Sequence, residues 1–137
     1  MIRLKLKEPC DRVFVRSTLE NPSTGAKNIV DAKIDTGAVV SIFPISMVSG
    51  MGFEILGERD FIVANGSKLH AYIIECKISF SDEDEFELPL HICKSYYDTG
   101  LIGMDILSLC NYSQWHEWLN KEHSVNFTLE VAQEPES

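Results

Sequence analysis

Short runs in which apolar and polar residues alternate, separated by turn chemistry, make up most of this 137-residue chain. A period of two puts every second side chain on one face of a strand, so the pattern predicts a mostly β fold. Residues 2–6 form a first strand, in which apolar and basic residues alternate from Met1 to Lys7. Arg12 to Leu19 forms a second strand, Asn21-Pro22-Ser23-Thr24-Gly25 is a strong turn, and 28–34 returns antiparallel. Pro44 opens a short helical stretch over Ile45 to Ser49 that Gly50 and Gly52 end. Phe61 to Ala64 and Leu69 to Ile74 flank Asn65-Gly66, which suits a two-residue type I′ turn because both central positions need positive φ. A strand from Ala71 runs towards Phe80, the acidic run Asp82 to Glu85 reads as a solvated hairpin tip, and Phe86 to Ile92 returns. Ser113 to Leu119 fits either a helix or irregular structure, with Trp115 and Trp118 expected to anchor it to the core. Ser124 to Val131 alternates as a last strand. The length suits one domain over 1–132, followed by a frayed tail over 133–137.

Composition narrows the functions on offer. A 45% hydrophobic content supports a real core. The net charge of −9, with twelve basic residues in no obvious patch, argues against nucleic acid as a partner. No apolar run approaches the roughly eighteen residues of a membrane span, and the first residues are too few and too charged for an export signal. The expected location is therefore the cytoplasm, with no membrane partner. Cys10, Cys76, Cys93 and Cys110 show neither CxxC pairing nor zinc spacing and read as reduced, buried thiols. His91 and Cys93 would share a strand face, but two ligands do not make a zinc site, so no metal or other cofactor is expected.

The chemistry concentrates at Asp35-Thr36-Gly37-Ala38. Apolar runs enter it through Ile29 to Ile34 and leave it through Val39 to Phe43. A carboxylate in that frame costs several kcal/mol unless hydrogen bonds or a partner stabilise it. The triplet alone is weak, because Asp98-Thr99-Gly100 repeats it; following polar Lys94 to Tyr97, that copy reads as a structural turn. Context separates the two. Leu101-Ile102-Gly103 runs directly into the short helical pattern of Met104 to Leu107, and Ala64 to Lys68 supplies a hairpin signal between the two elements.

An acid loop, a hairpin, and then apolar-apolar-Gly before a helix, in that order, resembles the retropepsin-like aspartic protease family over roughly residues 11 to 110. The resemblance implies a closed acid-protease barrel with one or two short helices. It also implies an aspartic endopeptidase, a homodimer in which Asp35 of each chain contributes one half of a dyad. Two close carboxylates share one proton, so one activates water while the other polarises the peptide carbonyl. This shared-proton pair is the standard example of the effect and is carried over from the family.

By the same resemblance Thr36 interlocks the two loops across the axis, and Gly37 offers an amide to the carboxylate. Ala38 matches the retroviral pattern; the hydroxyl that pepsin-like enzymes carry there is absent, which implies a less acidic pH optimum. Asn65, Gly66, Ser67 and Lys68 would form the flap over a peptide held as an added strand, with Ala38 beside it. Only Gly66 is a glycine in that flap, fewer than in retroviral flaps. Leu101, Ile102 and Gly103 would pack behind the catalytic loop. Asp105 reads as a helix-terminus acid. The alternative function is a catalytically silent dimer that binds peptides without cleaving them.

Overall fold

In the computed structural model the chain is described over residues 1–6, 13–62, 65–94 and 99–132. Residues 7–12, 63–64, 95–98 and 133–137, and with them Cys10, Asp98 and the expected frayed tail, lie outside the described residues. Ten strands are present among those described: β1 (Ile2–Leu6), β2 (Phe14–Glu20), β3 (Lys27–Ile34), β4 (Ile42–Pro44), β5 (Gly57–Ile62), β6 (Lys68–Ser79), β7 (Glu85–Cys93), β8 (Gly100–Ile102), β9 (Cys110–Leu119) and β10 (Glu122–Val131). A 3₁₀ turn covers Ile45–Met47, and one short helix, α1, covers Met104–Leu107.

Six strands in the order β2-β3-β8-β4-β7-β6 close into a barrel through the pairing of Thr18 to Glu20 with Lys77 to Ser79. Alternation explains the closure. Val15, Ser17 and Leu19 of β2 and Ile74, Cys76 and Ile78 of β6 point inward and are buried, while Phe14 and Arg16 face out. The end of β7 departs from alternation, with Leu90, His91, Ile92 and Cys93 all buried. A strand covered on both faces loses its polar side. β5 pairs only with β6 among the described residues and stands outside the barrel as one arm of a hairpin.

A separate sheet, β1-β10-β9, packs Val125, Phe127 and Leu129 inward, and the latter two join the apolar cluster that contains Phe43, Ile102 and Leu107. Gly100 shows how tightly that core is filled. A Cβ there would lie 2.2 Å from the Phe43 ring, so the second Asp-Thr-Gly triplet owes its glycine to packing. Cys76 and Cys93 are buried free thiols and Cys110 is a half-buried one, with burial pushing Cys76 and Cys110 up to about 11.

Two expectations are corrected here. Ser113 to Leu119 is neither helix nor irregular but most of β9, and its tryptophans do not anchor the core: Trp115 is 41% and Trp118 69% exposed. In a strand, residues three apart point to opposite faces, so both cannot face one core. Leu119 pairs with Glu122 across Asn120-Lys121, whose φ values of 51° and 64° are the positive pair that a type I′ turn requires.

Asp82, Glu83 and Glu85 are solvated as expected, but Asp84 is buried. Its carboxylate accepts hydrogen bonds from the Ser81 hydroxyl at 2.6 Å and the Val131 amide at 2.9 Å, and it pairs with the Met1 ammonium at 2.6 Å. It thereby fastens the three-stranded sheet to the barrel. Burial pushes this carboxyl up, but those hydrogen bonds outweigh it and hold it below the usual carboxylate range. A depressed native value means the stabilisation is complete above the unfolded value near 4 and is lost as pH falls through the native one. Asp84→Asn is therefore expected to cost about 2 kcal/mol in urea denaturation at pH 7, with the gap to wild type closing below about pH 4.

Candidate active site

Asp35 stands where the chain leaves β3. Its amide donates to the Ile102 carbonyl at 2.9 Å, which extends the parallel pairing of Ala32 to Ile34 with Gly100 to Ile102. The loop turns at once: the Ala38 amide donates to the Asp35 carbonyl at 3.2 Å, and the Gly37 amide to Asp35 Oδ1 at 3.0 Å. A Cβ on Gly37 would lie 3.3 Å from that same oxygen, so the glycine keeps the carboxylate within reach of the amide. Asp35 and Ala38 are half-buried, while Thr36 and Gly37 are exposed.

The loop from Asp35 to Ser41 straddles β8, which lies between β3 and β4 and pairs parallel with one and antiparallel with the other. Ile102 is fully buried, and Leu101 is half-buried between Lys33 and Ile42. Gly103 then passes so close that a Cβ on it would sit 2.6 Å from the Val40 carbonyl oxygen and 2.7 Å from that of Ala38. Beyond it, the Met104 and Asp105 amides donate to the Ala38 and Val39 carbonyls at 2.8 and 3.1 Å.

A polar clasp completes this support. Ser41 is fully buried; its hydroxyl donates to Asp105 Oδ1 at 2.7 Å and accepts from the Gly103 amide at 2.9 Å. The Ser41 amide donates to both Asp105 oxygens, at 2.9 and 3.0 Å. Asp105 does lie in the first turn of α1, where its Oδ1 also accepts from the Ile106 amide at 2.9 Å. Its larger part is to tie α1 to the end of the Asp35 loop. The sequence reading missed Ser41 altogether; its signal is a hydroxyl residue six positions after Asp35, on the edge of an apolar strand.

The hairpin of β5 and β6 carries the expected flap residues Asn65 to Lys68, all exposed. Its turn differs from the expected one. Ile62 pairs with Lys68 and Phe61 with Leu69, which leaves an odd number of residues in the loop, and a two-residue turn on Asn65-Gly66 needs an even number. Gly66 has φ 83°, and the Ser67 amide donates to Asn65 Oδ1 at 2.9 Å. Val63 and Ala64 lie outside the described residues.

Farther down, His70 bridges two acids of the opposite strand, with Nδ1 2.6 Å from Asp60 Oδ1 and Nε2 3.3 Å from Glu58 Oε1. The hydrogen bond to Asp60, then that to Glu58, raises the imidazole above its ordinary value. The Arg59 guanidinium lies 4.8 Å over the Phe61 ring, whose neighbour at 5.2 Å, edge to face, is the ring of His91. His91 is buried with neither nitrogen hydrogen-bonded among the described residues. Burial first, and then the Arg59 charge, push it below its ordinary value, so it is held neutral. Among the described residues no three His, Cys, Asp or Glu side chains come together to hold a metal, and no helix is long and apolar enough to cross a membrane.

No family model matches this chain, and no curated protein matches it. Solved structures do. A retropepsin-like aspartic protease from Rickettsia conorii is similar with a TM-score of 0.53 at 13% identity, over 90% of each chain. The EIAV protease, solved with the inhibitor HBY-793, is similar with a TM-score of 0.52 at 12% identity, over 72% of this chain and 86% of that one. The fold is therefore that of the retropepsin-like aspartic proteases, as the order of motifs implied.

Gly103→Ala is expected to cost about 3 kcal/mol by chemical denaturation, because the methyl would meet backbone atoms of Ala38 and Val40 rather than a side chain that could swing away. The raised His70 value means its ion pairs stabilise the hairpin fully below the unfolded value of about 6.5 and release it as pH rises through the native one. NMR titration should place the His70 midpoint above 6.5 in the wild type and lower in Asp60→Asn, and protection of the β5 and β6 amides, after correction for the intrinsic base-catalysed rate, should be lower at pH 8 than at pH 6.

Proposed function

We propose that this chain is an aspartic endopeptidase acting as a homodimer, with Asp35 of each copy supplying one carboxylate of a shared-proton pair. The observation that carries this reading is the Asp35 loop itself. A half-buried carboxylate is held by its own turn, braced from behind by Gly103 and the Ser41–Asp105 clasp, and left open in front. Asp105 is spent on Ser41 and Ile106, so the chain has no second free carboxylate bound to this loop among the described residues. A partner copy is the economical source of one.

In the reaction the ionised carboxylate takes a proton from water as its oxygen attacks the peptide carbonyl carbon. The protonated one gives its proton to the carbonyl oxygen, and collapse of the tetrahedral species transfers a proton to the leaving nitrogen. Thr36 and Gly37 hold the geometry. The outer edge of β5 is unpaired among the described residues and suits an extended peptide added as a strand, with Asn65 to Lys68 above it. The buried free thiols agree with a reducing compartment, and the cytoplasm is the proposed one.

Digestion of a peptide library, read by mass spectrometry between pH 4 and 7, tests this. Wild type and Asp98→Asn are expected to cleave, and Asp35→Asn to lose activity by about a thousandfold or more. Cleavage that survives in Asp35→Asn would overturn the assignment. A folded dimer that cleaves nothing would point to the peptide-binding alternative.

A further inference from the structure

One row of side chains crosses the outer face of five strands beside Asp35. Strand register sets Phe14 of β2 against Lys33 of β3, Lys33 against Leu101 of β8, Leu101 against Ile42 of β4, and Ile42 against His91 of β7. Registered partners share a face, and the residues that follow four of them, Ile34, Ile102, Phe43 and Ile92, turn to the core instead. Asp35 comes two positions after Lys33 and is still hydrogen-bonded to β8, so it belongs to the same outer face.

The middle of the row is an apolar floor: Leu101 and Ile42 are half-buried, and His91 is buried and neutral. A cation stands at each end of it. Lys33 is half-buried between Phe14 and Leu101. At the other end the Phe61 ring meets His91 at 5.2 Å, the Arg59 guanidinium covers Phe61 at 4.8 Å, and the charge of Arg59 is felt at His91.

Neither cation is neutralised among the described residues. Lys27 and Lys77 on the barrel wall pair with Glu20 and Glu85 at 3.2 and 3.3 Å, but Lys33 forms no such pair, although Asp31 and Asp35 flank it on its own face. It is therefore not a counter-ion held on Asp35. Arg59 has none either, because its strand neighbours Glu58 and Asp60 stand on the opposite face of β5, where His70 holds both. A chain of net charge −9 repels anions over most of its surface, so two unpaired cations around the candidate site are a local exception.

We infer that Lys33 makes the proposed endopeptidase selective for peptides with an acidic side chain, Asp or Glu, beside the scissile bond, and that Arg59 receives a second acid on the hairpin side. The inference deepens the endopeptidase reading above and rests on it. Residues two apart on a strand lie about 7 Å apart, so the Lys33 side chain rises close beside the carboxylate and on its side of the sheet. A substrate residue next to the cleaved bond lies within reach of that side chain. Its ammonium attracts a carboxylate there and repels a lysine or arginine, which gives selectivity in both directions.

Matched peptides that carry Glu, Gln or Lys at one position flanking the cut, and are otherwise identical, test this through ratios of kcat/KM at pH 5.5. The wild type is expected to favour the Glu peptide over the Gln peptide by about fivefold. Lys33→Gln should bring that ratio to about one, and Lys33→Glu should turn the preference towards the Lys peptide. Arg3→Gln, which removes the same charge from the separate terminal sheet, should leave the ratio unchanged. Ratios are compared, so a variant that is only less active does not imitate the result. No Glu preference in the wild type, or one that survives in Lys33→Gln, would overturn the proposal. Should both Lys33 variants fail to fold, the wild type decides. A Glu preference that narrows with added salt, and as pH falls through about 4.3 where the peptide's glutamate takes up a proton, supports the proposal; indifference to both overturns it. Equilibrium binding of the same peptides separates the two readings. Binding with a Lys33-dependent Glu preference but no cleavage would sink the endopeptidase reading alone. Cleavage without that preference would sink this proposal alone, and neither binding nor cleavage would sink both.

Discussion

Behind Asp35 two segments of backbone cross almost in contact, and the space of one absent Cβ lets them do so. Gly103 lies against the carbonyls of Ala38 and Val40 at a distance that no side chain tolerates. Because the backbones approach so closely, the amides of Met104 and Asp105 reach the carbonyls of Ala38 and Val39, and Asp105 reaches Ser41. Each of these bonds ties a polar group of the loop to the backbone or side chain that follows Gly103. The crossing thus fixes the far end of the loop, and the Asp35 amide on the Ile102 carbonyl fixes the near end. With both ends tied, the carboxylate's direction follows from the Gly37 amide alone.

The buried polar groups divide by what they join. Ser41 joins the loop to α1, and Asp84 joins the barrel to the terminal sheet; both are fully hydrogen-bonded, as buried polar groups in stable proteins generally are. His91 is different. It is neutral, unbonded among the described residues, and stacked edge-on against Phe61 of the outer hairpin. It behaves as an aromatic packing residue that couples Phe61, near the loop end of β5, to β7; burial first, and then the charge of Arg59, keep the imidazole uncharged.

Alternation made β2 and β6 legible, because each has one drier and one wetter face, and that asymmetry is written into every second residue. The Asp35 loop and the Leu101-Ile102-Gly103 element were legible for a second reason: their residue types answer to local backbone demands. What escaped depends on contacts between distant segments. β9 has two wet faces, so its residues carry no alternation to read. The type I′ turn went to Asn120-Lys121 despite the left-handed strain on Lys121, since the pairing of ten residues on each side outweighs a local cost of about 1–2 kcal/mol. Asn65-Gly66, the better local candidate, sits instead in a loop whose length the register of β5 and β6 decides. Asp84 looked like one of four acids at a tip, and only the arrival of β10 and the first residue makes it a buried tie.

The exposed apolar side chains carry the last step of the synthesis. Isolated ones are ordinary on any surface, and their distribution is what informs. Val39 in the Asp35 loop is 78% exposed, Ile62 at the end of β5 is 80% exposed, and β9 adds two tryptophans. These positions belong to the loop that holds the carboxylate, the hairpin read as its cover, and the strand that leaves its brace. A chain with enough charge to coat itself keeps oil at the places where, on the proposed reading, a peptide and a second copy would sit. On that reading the open face of the Asp35 loop is the part a second copy would cover, and the barrel with its Gly103 crossing supplies the rigidity such a meeting needs.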